Sequence, residues 1–430
     1  MSTLIKNAQI LQAEQLTEQD ILIDDGRIKA IGHDLNQAYG PADHVICAAD
    51  RFVTPGLVDV HVHLRDPGLT AKETIETGTM AAAHGGFTTI GAMPNVDPVP
   101  DTPEKIALMM ARNAEKAHVH VEQYASITKN RVGDELVDFD GVKQAGAFAV
   151  SNDGSGVQTA GTMYQAMLGV AKAGLTLAAH VEDDSLTYGG VMNAGPVADK
   201  LGLPGILGIS ESAQIARDVM LAEASGVHYH VCHVSTAESV RVIRDAKRAG
   251  INVTCEVSPH HLLLTDADIT MDNPMLKMNP PLRSPKDRAA LIAGLLDGTI
   301  DMIATDHAPH TDEQKTGSMQ TAAFGITGLE TAFATLYTAF VKTRILTLSQ
   351  LIDLMSTNPA KLFGLKQAGR LAVGMPADLA IIDLKHDYEI KANQMFSKGH
   401  NSPFIGWHVS GNVLMTLVDG QVVYGKDQQA

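Results

Sequence analysis

The chain has 430 residues, 45% hydrophobic and 19% charged, which is enough apolar content for a sizeable soluble core. Its formal net charge of −16, with no basic block, excludes an ordinary nucleic-acid-binding surface, though not a locally basic pocket for a small anion. No apolar run approaches the ~18–20 residues that span a membrane, and "MSTLIKNAQILQAEQ" has no basic-then-apolar leader. The three cysteines, Cys47, Cys232 and Cys255, each sit in an apolar run and are expected to be buried thiols in a reducing, cytoplasmic setting.

Residues 1–54 contain "DILIDDGRIKAIG", two β-type runs around Asp25-Gly26. Residues 368–430 contain "ADLAIIDL" and "VLMTLVDGQVVY", with a second Asp-Gly pair at 419–420. Asp-Gly between alternating apolar runs is a strong hairpin signal. The two ends are therefore expected to complete one small β-sandwich domain. Between them, 55–367 alternates short apolar runs with helical stretches. Eight strands are expected at 57–63, 87–93, 119–126, 147–152, 175–180, 228–233, 251–257 and 301–306. Of the helices, "TPEKIALMMARNAEKA" starts with Thr102 as N-cap and Pro103 in its first turn, and "STAESVRVIRDAKRAG" with a Ser235/Glu238 capping box. "SPKDRAALIAGLLDG" is a third. Eight such units over ~310 residues predict an α/β fold, a (β/α)8 TIM barrel. An open doubly wound sheet is disfavoured because no Gly-rich phosphate loop follows the first strand.

In a TIM barrel, chemistry sits at the C-terminal ends of the strands. Strand one ends in His61-Val-His63-Leu-Arg65, and strand two is followed by Asn95. Strand four runs into Asp153, strands five and six end at His180 and His233, and strand eight ends at Asp306. Four imidazoles and two carboxylates thus converge on one rim. That donor set suits zinc and similar divalent ions. It exceeds what one open catalytic zinc requires and matches a two-metal site, with Asp153 as candidate bridge. Asp306 is placed to bind a metal and to shuttle a proton. The second His-Val-His, His118 to His120, opens its strand instead of ending it, so it is expected on the opposite rim or in the barrel wall, as are His228 and His230.

By these residues the chain is identified as resembling the class I dihydroorotases of the amidohydrolase superfamily. The resemblance rests on "PGLVDVHVHLRDPG", "AMPNVDP", "SNDG", "HVED", "CHVS", "SPHHL", "KMNPPLR" and "TDHAPH", which run from residue 55 to 310. It implies the reversible, zinc-dependent cyclisation of N-carbamoyl-L-aspartate to L-dihydroorotate in pyrimidine (UMP) biosynthesis, with two zincs per subunit. It implies that His61, His63 and Asp306 bind one zinc, that His180 and His233 bind the other, and that Asp153 bridges them. It assigns the anionic substrate to Arg65, Asn95, Asn279 and His310, with His63 adjoining and Phe324-Gly325 lining the ring, and makes Asp306 the catalytic acid–base. Strand four carries no lysine at its end, so the carbamylated-lysine bridge of many amidohydrolases is replaced by Asp153, as in the bacterial subgroup. Aspartate transcarbamoylase is an expected partner and a homodimer the expected assembly. Two alternatives are another cyclic amidohydrolase, of the hydantoinase or allantoinase kind, and a non-catalytic homologue that docks to a carbamoyltransferase. The polar segment 310–324, "HTDEQKTGSMQTAAF", is expected to act as a lid.

Overall fold

The computed structural model describes residues 2–425. Eight parallel strands follow one another around a single sheet: Leu57–Val62, Phe87–Ala92, His120–Ala125, Ala147–Ser151, Thr176–Ala179, His228–Val231, Val253–Val257 and Met302–Ile303. Each lies inside one of the eight runs expected from sequence. The last strand meets the first: His63 N donates to His307 O at 2.9 Å, and Val62 and His307 form a parallel bridge. Buried Asp59 reinforces this seam by accepting from Thr305 N at 3.1 Å. The result is a nearly closed (β/α)8 barrel. Side chains such as Val58, Val60, Tyr124, Ala149, Ala178 and Met302 fill its interior, which makes it a packed core with chemistry only at its mouth.

The helices begin where capping chemistry puts them. Thr102 accepts from Lys105 N ahead of Pro103–Lys116, and Ser284 and Asp287 form a reciprocal capping box ahead of Pro285–Leu296. Helix Ala237–Arg248 departs from expectation by one residue, since its N-cap is Thr236 and not Ser235. Ser235 is diverted: its amide donates to the buried Glu211 carboxylate at 3.0 Å and its hydroxyl is bound there too, which leaves the next hydroxyl to cap.

Both chain ends contribute to a second sheet. Its strand order is Gln421–Tyr424, His408–Val418, Leu379–Glu389, Phe52–Pro55, Ser2–Gln12, Gln15–Asp24 and Arg27–Gly32, with His44–Cys47 alongside Ser2–Gln12. Ile5, Ile21, Ile28, Ile46, Val53, Leu379, Ile381 and Leu417 give it a core of its own. Both Asp-Gly pairs are two-residue hairpin turns with positive φ throughout: 50° and 72° at Asp25-Gly26, 47° and 74° at Asp419-Gly420. This is the geometry that selects glycine at the second place. Cys47 is exposed, contrary to expectation, whereas Cys232 and Cys255 are buried. Its short strand pairs on one side only, and alternation turns Ile46 inward and Cys47 out.

The second His-Val-His marks where sheet and barrel meet. His120 starts its strand at the N-terminal end of the barrel, and its Nε2 lies 3.2 Å from Asp378 Oδ2 and 3.6 Å from Asp419 Oδ2. The Asp378 hydrogen bond, with Asp419 and Glu122 nearby, raises the imidazole pKa above its ordinary value. A raised native pKa gives stabilisation that is complete below the unfolded value of ~6.5 and fades as pH rises through the native value. Replacing His120 with glutamine is therefore expected to lower the Tm most at acid pH, with the difference shrinking towards pH ~9. Thermal scans of both proteins across that range check it, and a pH-independent difference would contradict the ion-pair role.

Candidate active site

Six side chains meet at the C-terminal mouth of the barrel. His61 points inward from strand Leu57–Val62, His63 follows it, and Asp153, His180, His233 and Asp306 sit one to three residues past their strands. None is more than 7% exposed. His61, His63 and Asp306 offer ligand atoms within 4.8 Å of one another, and so do His61, Asp153 and His233. Asp153 spans the group. Its Oδ1 lies 3.3, 3.5 and 3.7 Å from His61 Nε2, His233 Nε2 and His180 Nδ1, while its Oδ2 is 3.4 Å from His63 Nε2. Asp306 Oδ1 faces His63 Nε2 at 2.9 Å and His61 Nε2 at 3.4 Å.

These residues fit a divalent metal. His61 Nε2 and Asp153 Oδ1 are buried without a hydrogen-bond partner, and His180 Nδ1 and His233 Nε2 aim at one another across 2.9 Å. Buried polar atoms are normally satisfied, and an ion among them would satisfy all four. The surrounding shell sets which nitrogen is free. His61 Nδ1 donates to Glu256 Oε1 at 2.6 Å and His63 Nδ1 to Asn95 Oδ1 at 2.7 Å, leaving both Nε2 lone pairs for the ion. Burial pushes the Asp153 carboxyl up, but His61, His233 and His63 outweigh it and hold the group well below the usual carboxylate range. The backbone is strained at the same place. Arg65, His233 and Asp306 have φ of 58°, 34° and 50°, a conformation costing on the order of 1–3 kcal/mol per residue and concentrated at functional sites.

Beside the cluster lies a cavity of about 230 Å³. Every substrate residue expected from sequence lines it: His63, Arg65, Asn95, Asn279, His310, Phe324 and Gly325. Arg65 is buried, its Nε has no partner, and no protein acceptor bonds its guanidinium among the described residues. Burial lowers its pKa only to about 10, so it stays charged. Asn279 gives its amide to Glu182 at 3.0 Å, and its Oδ1 is buried and unpaired. His310 is pushed down to about 3 by burial and by Arg65, so it is neutral, and its Nε2 proton goes to Phe324 O at 2.7 Å. Loop 310–324 is fastened at its base: buried Lys315 Nζ donates to the carbonyls of Lys277, Ala323 and Gly325, each at 2.9 Å. A larger cavity, about 530 Å³ between His84, Glu330 and Phe396, lies away from this cluster.

Sequence reasoning missed Glu256, which also binds His230 Nε2 at 3.1 Å, and Asp59 at the seam. The signal was present in both cases: a carboxylate inside a short, largely apolar barrel strand.

A family model described as dihydro-orotase-like matches residues 50–239. The dihydroorotase of Lactiplantibacillus plantarum is 79% identical over 430 residues, the whole of both chains. The chain belongs to the dihydroorotase family. The family's dihydroorotase from Ligilactobacillus salivarius is 62% identical, again over 100% of each chain. Among solved structures, the L-hydantoinase (dihydropyrimidinase) of Arthrobacter aurescens superposes with a TM-score of 0.87 at 29% identity, covering 100% of this chain and 97% of that one.

Glu256 provides a test of the shell. Glu256→Gln keeps the shape but removes the charge that orients His61, and metal affinity is expected to fall about 10–100-fold. Competition against a chelator of known affinity measures it, and an unchanged affinity would refute the orienting role.

Proposed function

We propose that this protein is a dihydroorotase, a cyclic amide hydrolase that interconverts L-dihydroorotate and N-carbamoyl-L-aspartate in pyrimidine biosynthesis. The observation that carries this reading is Arg65, a buried guanidinium without a hydrogen-bond partner among the described residues, facing a cavity beside the metal-type cluster. A planar fork of donors is suited to a carboxylate. Dihydroorotate has one, whereas hydantoin and dihydrouracil rings have none.

In this reading His61, His63 and Asp306 would hold one zinc, His180 and His233 a second, and Asp153 would span both. When bound, the ions supply Lewis acidity and a water that is acidic near neutral pH. The chain's own residues do the rest. Arg65 takes the substrate carboxylate, helped by Asn95 and the free Oδ1 of Asn279. Phe324 and Gly325 wall the ring, and His310, neutral and tied to Phe324 O, fixes that wall. Asp306 Oδ2, which accepts no hydrogen bond among the described residues, takes the proton of the attacking water. It returns that proton to the ring nitrogen as the amide bond breaks. In the synthetic direction the same carboxylate works in reverse.

In this reading the chain divides into a β-domain of residues 1–54 with 368–430, residue 1 and the last five being outside the described residues, and a catalytic barrel of 55–367. The order of strands in the two sheets supports that division. Among the described residues no helix is long and apolar enough to cross a membrane. A cytoplasmic homodimer is the proposed working form, with aspartate transcarbamoylase, which makes N-carbamoyl-L-aspartate, as a docking partner. The complete ligand set argues for activity without that partner.

Assays with dihydroorotate, dihydrouracil and allantoin test the reading. Turnover of dihydroorotate with two zincs per chain by elemental analysis is expected, and turnover of dihydrouracil alone would overturn it. Arg65→Met is expected to cost about 10–100-fold in kcat/KM for dihydroorotate, the value of about one charged hydrogen bond. Asp306→Asn is expected to leave the circular dichroism spectrum intact and lower kcat by about 10²–10⁴-fold. Near-native turnover in the Asp306 variant would remove it from the mechanism.

A further inference from the structure

We propose that Asn401 is a positioning residue for the substrate side of the site, an inference that rests on the reading of His310, Phe324 and Gly325 as substrate wall. Asn401 lies between strands of the terminal sheet, about ninety residues beyond His310, yet it is 2% exposed at the barrel mouth. Its Oδ1 accepts from His310 N at 3.0 Å. Its Nδ2 donates to Ala308 O at 3.1 Å and to Gly325 O at 3.0 Å. Its own carbonyl accepts from Thr327 N at 3.0 Å. The side-chain amide therefore ties the outgoing limb of the loop (Ala308, His310) to the returning limb at Gly325, and the backbone carbonyl adds Thr327. A primary amide has two N–H donors and one oxygen, and all three are engaged across two strands of backbone. Neither aspartate nor leucine can reproduce that set.

The segment bearing Asn401 is itself held rigidly. Phe396 N and Ser397 N donate to Glu330 at 2.7 and 3.3 Å, and Lys398 N donates to Glu73 at 3.3 Å. Both carboxylates are buried. Glu73 also faces His307 Nε2 at 3.5 Å, and His307 O accepts from His63 N. Between these anchors and Asn401 the strap passes so close to the loop that a Cβ on Gly399 would lie 2.7 Å from Pro309 Cβ and 3.0 Å from His310 N. The strap thus registers the substrate wall against the same barrel seam that carries the metal-type cluster.

The decisive variant is Asn401→Asp, which keeps the size but replaces two donors with an acceptor facing two carbonyls. The KM for dihydroorotate is expected to rise about tenfold or more, with kcat within about threefold and zinc content unchanged, because loss of positioning affects binding ahead of chemistry. Hydrogen exchange is expected to accelerate in peptides covering 308–327 and not in the barrel strands. Asn401→Ser, which retains a small acceptor, covers the case in which the aspartate fails to fold, with the same two readouts expected. A loss of Tm alone, with KM and exchange of 308–327 as in the parent, would overturn the proposal and leave a purely structural residue. If the parent enzyme turns over dihydrouracil and not dihydroorotate, the substrate reading falls. The positioning role is then decided by the exchange data and by the KM for the ring that is turned over.

Discussion

The structure depends on one electrostatic demand: two carboxylates and four imidazoles must be held buried and in contact at the mouth of the barrel. Without positive charge among them, Asp153 and Asp306 would each carry a desolvation cost of several kcal/mol. Asp153 sits where this demand is greatest, with one oxygen turned to three imidazoles and the other to a fourth. The strand that delivers it has no lysine at its end, and this carboxylate spans the cluster. The surrounding shell answers the same demand. Glu256 and Asn95 take the Nδ1 protons of His61 and His63, so the lone pairs point inward. Asp59 fastens the first strand to the last, which is where His61, His63 and Asp306 come from. The positive φ at Arg65, His233 and Asp306 is strain that only a rigid barrel could hold at the point of use.

Much of this was legible in the sequence, for physical reasons. Barrel strands buried on both faces read as continuous apolar runs, and turn chemistry marks their ends. A polar residue of metal-binding type at or just past the end of such a run has one rim to occupy, so the six side chains that meet there could be grouped without coordinates. The two Asp-Gly pairs were equally plain, because a two-residue turn with both φ positive leaves few residue choices. The contrast between the two His-Val-His copies followed from position: His61 and His63 close a strand and His120 opens one, and the barrel sends those ends to opposite faces.

What was not legible depends on partners far apart in the chain. Glu256 meets His61 across 195 positions, and Asn401 meets His310 across 91. Their local sequences show only an acid in a strand and an asparagine in a loop. The helix start at Thr236 was missed for the same reason, since Glu211, from a neighbouring helix, claims Ser235. Cys47 was misjudged because an apolar run does not reveal that its strand has a neighbour on one side only.

The site thus has two supports of different kinds. The metal-type side is carried by strand ends of a closed barrel, whose geometry is set by the pleat and the seam and tolerates little change. The substrate side is carried by loops, and loops are where one barrel acquires different specificities. Arg65 stands at the junction. Its backbone is fixed by the first strand, two residues past His63, yet its guanidinium faces the loop-walled cavity. Without a hydrogen-bond partner among the described residues, it is balanced at a distance by Asp306, Asp153 and Glu73. A neutral ring entering this cavity would leave that cation unpaired in a drier site, whereas a ring bearing a carboxylate would pair with it. In the proposed reading, discrimination among cyclic amides would therefore need no reshaping of the metal-type cluster, because the cost of an unmatched guanidinium would reject the neutral ring.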